Sequence, residues 1–221
     1  MTFRFSTEGT GFQYLSNQAI RMVLPGVDDP WGAARMFSLS SSPSEPGAIA
    51  VTCRISDTPF KQALARFRPG DTAEVYGPLG TFLLATDRPV VFLAGGIGVT
   101  PFRGMIRFAT DTETRQSLTL LYSARTPEEL VFRAELDQLA KVSSRFAPHY
   151  TITRPADSTI PWGGRVGRID AAWVERLVDL RARPRVYVAG LPDMVSEMVT
   201  MLTERFGVPP DDIDYEVFRG F

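Results

Sequence analysis

The apolar run Val90-Val91-Phe92-Leu93 feeds directly into Ala94-Gly95-Gly96-Ile97-Gly98-Val99. Thr100-Pro101 then opens a helical pattern that continues from Phe102 to Ala109. A short apolar run bounded by turn residues reads as a buried strand. Proline suits the first turn of a helix, where an N–H has no partner to lose. Strand, glycine loop and helix form the unit from which parallel sheets are wound. In that unit a dinucleotide pyrophosphate meets the N-terminus of a helix. Glycine also lets the backbone come close to such a group. The spacing is not Gly-x-Gly-x-x-Gly, so a tight strand–helix turn with no ligand is the plain alternative.

This unit sets the rhythm of everything after residue 87. Strands read at 90–93, 118–122, 150–153 and 185–188, and helices at 102–109, 128–140, 171–180 and 194–206. A last strand reads at 213–217. Strand–helix alternation of this kind predicts a doubly wound parallel sheet. Before residue 87 the pattern differs. Short alternating runs at 3–5, 19–24, 36–40, 49–55 and 72–76 are separated by Pro25-Gly26, Pro46-Gly47 and Pro69-Gly70. That predicts a small antiparallel barrel. One helix interrupts it, with Thr58 as cap, Pro59 in the first turn and a Pro-Gly stop. The expected organisation is therefore two domains, 1–86 and 87–221.

Composition removes several function classes. The net charge is −1, with 24 basic and 25 acidic residues, so nothing advertises a nucleic-acid partner. No apolar run reaches the length of a membrane span, and the first residues lack an apolar signal region; a cytoplasmic protein is expected. The single cysteine, Cys53, excludes an internal disulfide or a four-cysteine iron–sulfur cluster within these residues. It lies in an alternating strand pattern and reads as a buried thiol. The single histidine, His149, has no Gly-x-Ser-x-Gly elbow to serve, which argues against a serine hydrolase.

Two further segments carry chemistry. Arg35-Met36-Phe37-Ser38 places a guanidinium, a ring and a hydroxyl on one extended stretch. These groups can fork a phosphate, lie on another ring and hydrogen-bond a heterocyclic nitrogen. Lys61 falls in the first turn of its helix, where an anion is favoured and a cation is not. Leu121-Tyr122-Ser123-Ala124-Arg125 ends the second strand of the parallel sheet, where the adenosine ribose sits in such folds. Ser123 and Arg125 suit a 2′-phosphate there; Arg125 pairing with Glu128 or Glu129 is the bland alternative.

Taken in order, these segments resemble the ferredoxin–NADP reductase family of flavoprotein oxidoreductases. Arg35 to Ser38 is similar to its Arg-x-Tyr-Ser flavin segment, with Phe37 in place of tyrosine. Gly95 to Pro101 is similar to its Gly-Gly-x-Gly-x-Thr-Pro loop. Gly77-Pro78-Leu79-Gly80 resembles its Gly-Pro-x-Gly turn. Ala189-Gly190-Leu191-Pro192-Asp193-Met194 resembles Cys-Gly-Pro-Pro-x-Met, with alanine for cysteine. Glu216-Val217-Phe218-Arg219-Gly220-Phe221 resembles its Glu-x-Phe-x-Gly-aromatic ending. The resemblance runs from about residue 3 to the end. Thr58-Pro59-Phe60-Lys61 stands where the family has Gly-x-x-Ser, and the strand that usually precedes the one at 3–5 is missing. The resemblance therefore implies a barrel with an open edge, covered by residues 9–14 and the C-terminal tail or by a partner.

The resemblance also assigns roles. Arg35, Met36, Phe37, Ser38, Thr52, Arg54 and Lys61 would line the flavin, with Arg35 on its phosphate, Phe37 stacked on one ring face and Ser38 near N5. Gly96, Gly98, Thr100, Pro101, Ser123, Arg125, Gly190 and Met194 would line the nicotinamide nucleotide. Ser38, Glu216 and Phe218 would serve hydride transfer, and Phe218 or Phe221 would cover the other flavin face. The implied cofactors are FAD, preferred over FMN because Arg54 and Lys61 offer a second phosphate site, and NADPH or NADH. The implied activity passes hydride from NAD(P)H to the flavin and electrons to an external ferredoxin, flavodoxin, oxygenase component or free flavin. The alternative is a flavin-binding subunit of a larger assembly without independent turnover.

Overall fold

The computed structural model describes residues 1–218. The first part is built from two antiparallel sheets. Strand β1 (Thr2–Ser6) pairs with β4 (Ala48–Thr52). Strand β2 (Ala19–Val23) lies between β3 (Ala34–Ser38) and β5 (Glu74–Leu79). A single bridge, Leu39 to Val51, ties the two sheets together. Alternation decides which side chains point inward. Ile20 and Met22 of β2, and Phe37 with Leu39 along β3, enter one core with Val51. Helix α1 (Pro59–Ala65) sends Phe60 and Leu64 into the same core. Phe12 and Tyr14 pack against it as well, and the Tyr14 hydroxyl donates to Ser41 Oγ at 2.8 Å. Among the described residues β1 and β5 do not pair with each other, so the barrel is open.

The second part is a six-stranded parallel sheet. Its strands are β6 (Val90–Gly95), β7 (Leu118–Ala124), β8 (Phe146–Ile152), β9 (Arg165–Val166), β10 (Arg185–Gly190) and β11 (Ile213–Val217). Their spatial order is β11-β10-β6-β7-β8-β9. Helices α2 (Thr100–Asp111), α3 (Arg133–Val142), α4 (Ala171–Leu177) and α5 (Pro192–Thr200) cover the faces. One face is packed by Phe92, Phe102, Met105, Tyr122, Leu136 and Tyr187. The other is packed by Leu93, Leu121, Trp173, Val188 and Leu202. Burial on both faces explains why β6 and β10 read as continuous apolar runs. The chain winds outward from β6 through β7 and β8, then returns to the other side of β6 as β10. The topological switch point therefore lies between the C-terminal ends of β6 and β10.

Three elements differ from the sequence reading. The helix expected over 128–140 is broken: Pro127–Glu129 is a 3-10 turn, Phe132 is left-handed at φ 63°, and α3 begins at Arg133. The cause is the buried Tyr122 hydroxyl, which donates to Glu129 O at 3.2 Å and accepts the Val131 N–H at 3.0 Å. Strand β8 begins four residues early, at Phe146, and the two-residue β9 adds an edge. The last helix turns from α to π geometry at Met201–Arg205.

The two parts are joined by charge as much as by apolar contact. Arg103 on α2 reaches Glu45 in the barrel's β3–β4 loop, the Ser40 carbonyl at 3.1 Å and Glu135 of α3 at 2.5 Å. Gly104, one residue on, lets α2 approach the barrel closely; a Cβ there would lie 2.7 Å from the Ser41 carbonyl oxygen. The link Phe82 to Ala85 packs beside Tyr187, whose hydroxyl donates to Leu83 O at 2.5 Å and accepts the Ala85 N–H at 2.8 Å.

Candidate functional site

The site gathers at the switch point. Gly95 ends β6 and Gly190 ends β10, and the Met194 thioether from α5 lies against both. A Cβ on Gly190 would sit 2.7 Å from Met194 Sδ, and one on Gly95 would collide with it. Gly98 has a different task from the expected approach to a pyrophosphate. Its missing side chain lets the 3-10 turn Gly96–Val99 rest on the Ala189 carbonyl, so it faces β10. Thr100 and Pro101 are buried at the start of α2 and build that turn from within. Gly96 is the member that faces the barrel, at φ 53°, with an Arg54 guanidinium nitrogen 3.4 Å from the position of its absent Cβ.

Opposite this loop, the barrel presents the outer face of β3. Ser38 donates its hydroxyl to the Glu216 carboxylate of β11. Residues 178 positions apart thus meet across the two parts. Burial pushes the Glu216 carboxyl above its ordinary value, with the Ser38 hydrogen bond opposing that shift. Phe218 is tied next to them: its N–H donates to Gly190 O at 2.9 Å, and its side chain packs against the core on that face of the sheet. Phe221 lies outside the described residues. Met36 is 57% exposed on the same outer face of β3. It sits in register with Arg21, whose guanidinium stands 5.8 Å from the Tyr76 ring.

The inner face of β3 corrects two expectations. Arg35 is 8% exposed, with its two terminal nitrogens bonded and its Nε buried without a partner among the described residues. It donates to Asp29 at 2.6 Å and to the carbonyls of Trp31, Gly32 and Ala34. Asp29 also accepts the N–H groups of Phe60 at 2.9 Å and Trp31 at 2.8 Å. Burial opposes ionisation of Asp29, and those donors outweigh it, so its carboxyl lies below the ordinary carboxylate range. Phe37 shares the inward face with Arg35 because side chains alternate along a strand. Its ring packs 6.1 Å from that of Phe60 and belongs to the barrel core, so it presents no free face for stacking. Lys61 also turns inward: it is 7% exposed, with Nζ 4.6 Å from the Phe37 ring centroid. Thr52 is buried in a hydroxyl chain, 2.9 Å from both Thr2 and Ser40, and does not face the cleft. Arg54, expected on a flavin phosphate, instead crosses to the second part and pairs with Glu129 at 2.5 Å.

Comparison with known proteins identifies this arrangement. Residues 92–200 match the model of the oxidoreductase NAD-binding domain. The chain is 32% identical over 219 residues to ferredoxin–NADP reductase B of Sorangium cellulosum, covering 95% of this chain and 87% of that protein. The chain belongs to the ferredoxin–NADP reductase family. It is also 30% identical over 199 residues to the glycine betaine monooxygenase reductase subunit of Chromohalobacter salexigens, of which it spans 54%. In three dimensions it resembles the FAD/NAD-binding domain of nitric oxide dioxygenase from Vibrio cholerae, with a TM-score of 0.82 at 20% identity, covering 98% of this chain and 91% of that one. The family consists of NAD(P)H-dependent oxidoreductases that carry FAD.

The residues present fit those two groups. A Cβ at Gly95 or Gly190 would run into Met194 Sδ and one at Gly98 into the Ala189 carbonyl, so these glycines let the turn after β6 pack closely on the end of β10. Ser38 and Glu216 face it from the barrel and from β11. Ser123 ends β7, and Arg125 just beyond it is exposed and makes no ion pair among the described residues. Glu129 is taken by Arg54 and Glu128 by Ser158, so the surface pairs weighed for Arg125 do not form. Sequence reading gave no role to Asp29 or Arg103 and weighed Glu129 only as a surface partner of Arg125, not of Arg54. Asp29 carried one usable signal, an acidic residue in a Pro-Gly-rich loop six positions before the arginine. The partners of Arg103 are 58 and 32 residues away and left none. No helix among the described residues is long and apolar enough to cross a membrane.

Proposed function

We propose that this chain takes hydride from NADPH onto FAD and hands the electrons to an external ferredoxin-type protein. The bound flavin supplies the redox chemistry. The protein's own residues orient the reactants and keep water out. The observation that carries the reading is the Ser38–Glu216 contact, with Glu216 in register with Ala189 at the end of β10. In this reading the hydroxyl and the carboxylate, brought together from two distant segments, stand where ring meets ring. Hydride transfer needs reacting atoms roughly 3–3.5 Å apart, so such positioning groups matter more than acid–base strength. Phe218, anchored to Gly190, borders the same point.

The ferredoxin-type acceptor rests on two supports. The relative of which this chain spans 87% bears a ferredoxin reductase name. A single cysteine cannot hold a four-cysteine cluster within the chain, so such a cluster would have to be brought by another protein or domain. Preference for NADPH rests on Ser123 and the unpaired Arg125. The two units meet near residue 87, with the Phe82–Ala85 link packed on the second. The test is anaerobic mixing of the purified yellow protein with NADPH or NADH, followed by oxidised ferredoxin, flavodoxin or free FMN. Rapid bleaching by NADPH and fast reoxidation by ferredoxin alone support the reading. A yellow protein inert to both nucleotides would instead indicate a flavin-binding subunit without independent turnover.

A further inference from the structure

Resting on the proposed preference for NADPH, we infer that Tyr122 is a positioning residue for the nucleotide's 2′-phosphate. Its buried hydroxyl sets the turn that keeps Arg125 clear of the two carboxylates that follow it. Tyr122 lies near the end of β7, next to Ser123, which stands in register with Gly95 at the switch point. Its side chain is fully buried. Burial pushes the phenol pKa well above its ordinary value, against the opposing Val131 N–H, so the hydroxyl keeps its proton. The group can therefore donate and accept at once. It donates to the Glu129 carbonyl at 3.2 Å. It accepts the Val131 N–H at 3.0 Å, which the Glu129 carbonyl shares at 2.9 Å. A helix through these residues would send the Val131 N–H to the Pro127 carbonyl. The Leu130 N–H takes that carbonyl instead, at 3.2 Å, and α3 starts only after left-handed Phe132.

The turn decides where the charges go. Glu128 and Glu129 stand three and four residues after Arg125, the spacing at which helical neighbours pair. The turn sends Glu129 across to Arg54 at 2.5 Å and Glu128 to the Ser158 hydroxyl at 2.5 Å. Arg125 is held just before the turn by its carbonyl, which accepts the Arg154 N–H at 2.7 Å. Its side chain is exposed and makes no ion pair among the described residues. An arginine without a carboxylate partner is open to a phosphate, which it can fork. Without the Tyr122 hydroxyl the turn loses its buried partner, and extending α3 back through residues 128–131 becomes the favoured arrangement. That arrangement brings a carboxylate toward Arg125 and closes it to the 2′-phosphate.

The deciding quantity is a ratio. The flavin-loaded full-length protein and its Tyr122→Phe variant are assayed with NADPH and with NADH, and KM is measured for each. Removing the hydroxyl is expected to lower the ratio of KM for NADH to KM for NADPH by about three- to tenfold. Turnover at saturating NADPH should stay within about twofold of the parent, and the flavin spectrum should not change. A change at the Arg54–Glu129 joint moves both constants together and cancels in the ratio. Adding Glu128→Gln and Glu129→Gln to Tyr122→Phe should restore the ratio, because no carboxylate is then left to take Arg125. Should Tyr122→Phe not fold, hydrogen exchange at the Val131 amide of the unaltered protein decides. Saturating NADP+ is expected to slow that exchange more than saturating NAD+. A parent-like ratio in Tyr122→Phe, an unrestored ratio in the triple variant, or equal exchange with both nucleotides would each overturn the inference. A parent protein with equal KM for NADPH and NADH would refute the NADPH reading itself, and this inference with it.

Discussion

Replacing Arg103 by methionine tests how the two halves are held together. Arg103, Glu45 and Glu135 have side chains 12%, 15% and 29% exposed, and the guanidinium serves both carboxylates and the Ser40 carbonyl. Methionine fills much of the same volume but leaves two carboxylates facing each other. Breaking a buried pair costs about 3–5 kcal/mol; the partial exposure of Glu135 lowers the figure here to about 2–4 kcal/mol. At roughly 2–4 °C per kcal/mol for a chain of this size, the melting temperature should fall by about 5–15 °C near neutral pH. The effect depends on pH in a defined direction. Burial opposes ionisation of Glu45, but the Arg103 hydrogen bond and the Ser42 N–H outweigh it, so its carboxyl lies below its ordinary value of 4.5. A depressed carboxyl stabilises the fold above its unfolded value and loses that contribution as pH falls through the folded one. The gap between parent and variant should therefore narrow below pH ~4. Thermal unfolding followed by circular dichroism across pH reads both effects. Adding Glu45→Gln and Glu135→Gln to Arg103→Met should recover most of the loss, because no charge is then left unpaired. A single variant melting within about 2 °C of the parent at neutral pH would refute the reasoning.

Three shorter predictions follow from the site. Glu216→Gln should slow flavin reduction several-fold while raising the melting temperature of the flavin-free protein at neutral pH. The raised Glu216 pKa means the parent's relative stability is greatest in acid and declines as pH rises through the folded value, a trend the amide lacks. Arg125→Ala should weaken NADPH by about tenfold and leave NADH nearly unchanged, as read from KM for each nucleotide; equal losses would place Arg125 away from the 2′-phosphate. Arg54→Ala should raise KM for both nucleotides together and leave flavin content intact, because its guanidinium lies over Gly96. A colourless Arg54→Ala protein would return that arginine to the flavin.

Local signals carried the architecture. The apolar runs of β6 and β10, the Pro101 and Thr58 helix starts and the change of rhythm near residue 87 are each set by a few neighbouring residues. Ser38 and Glu216 each entered through a short motif, but their contact across 178 residues was not legible locally. What escaped was set by alternation and by distant partners. Arg35-Met36-Phe37-Ser38 reads as four ligands in a row, yet a strand shows only every second residue to one side. Phe37 and Leu39 are claimed by the barrel core, which commits Arg35 to the same interior and leaves Met36 and Ser38 outside. A composition that suits a flavin is thus divided by the pleat. The break before α3 has a similar origin, since one tyrosine hydroxyl on β7 outbids the helical propensity of residues 128–132.

The joints between the two parts differ in strength, and that difference orders how the cleft behaves. Arg103 with Glu45 and Glu135 is mostly shielded from water, and the Gly104 approach locks α2 against the barrel beside it. Arg54 and Glu129 form the joint across the glycine loop, and both are far more exposed, at 53% and 31%. A pair of that kind contributes about 0–1 kcal/mol and weakens further in salt. If the parts were driven apart locally, the exposed Arg54 joint is expected to break before the shielded Arg103 joint. The Arg54 joint lies over Gly96. Glu129 holds the arginine there by charge. The buried joint, through the Ser40 carbonyl two residues beyond Ser38, ties this end of β3 to α2, while the Arg54 joint takes no part in that tie.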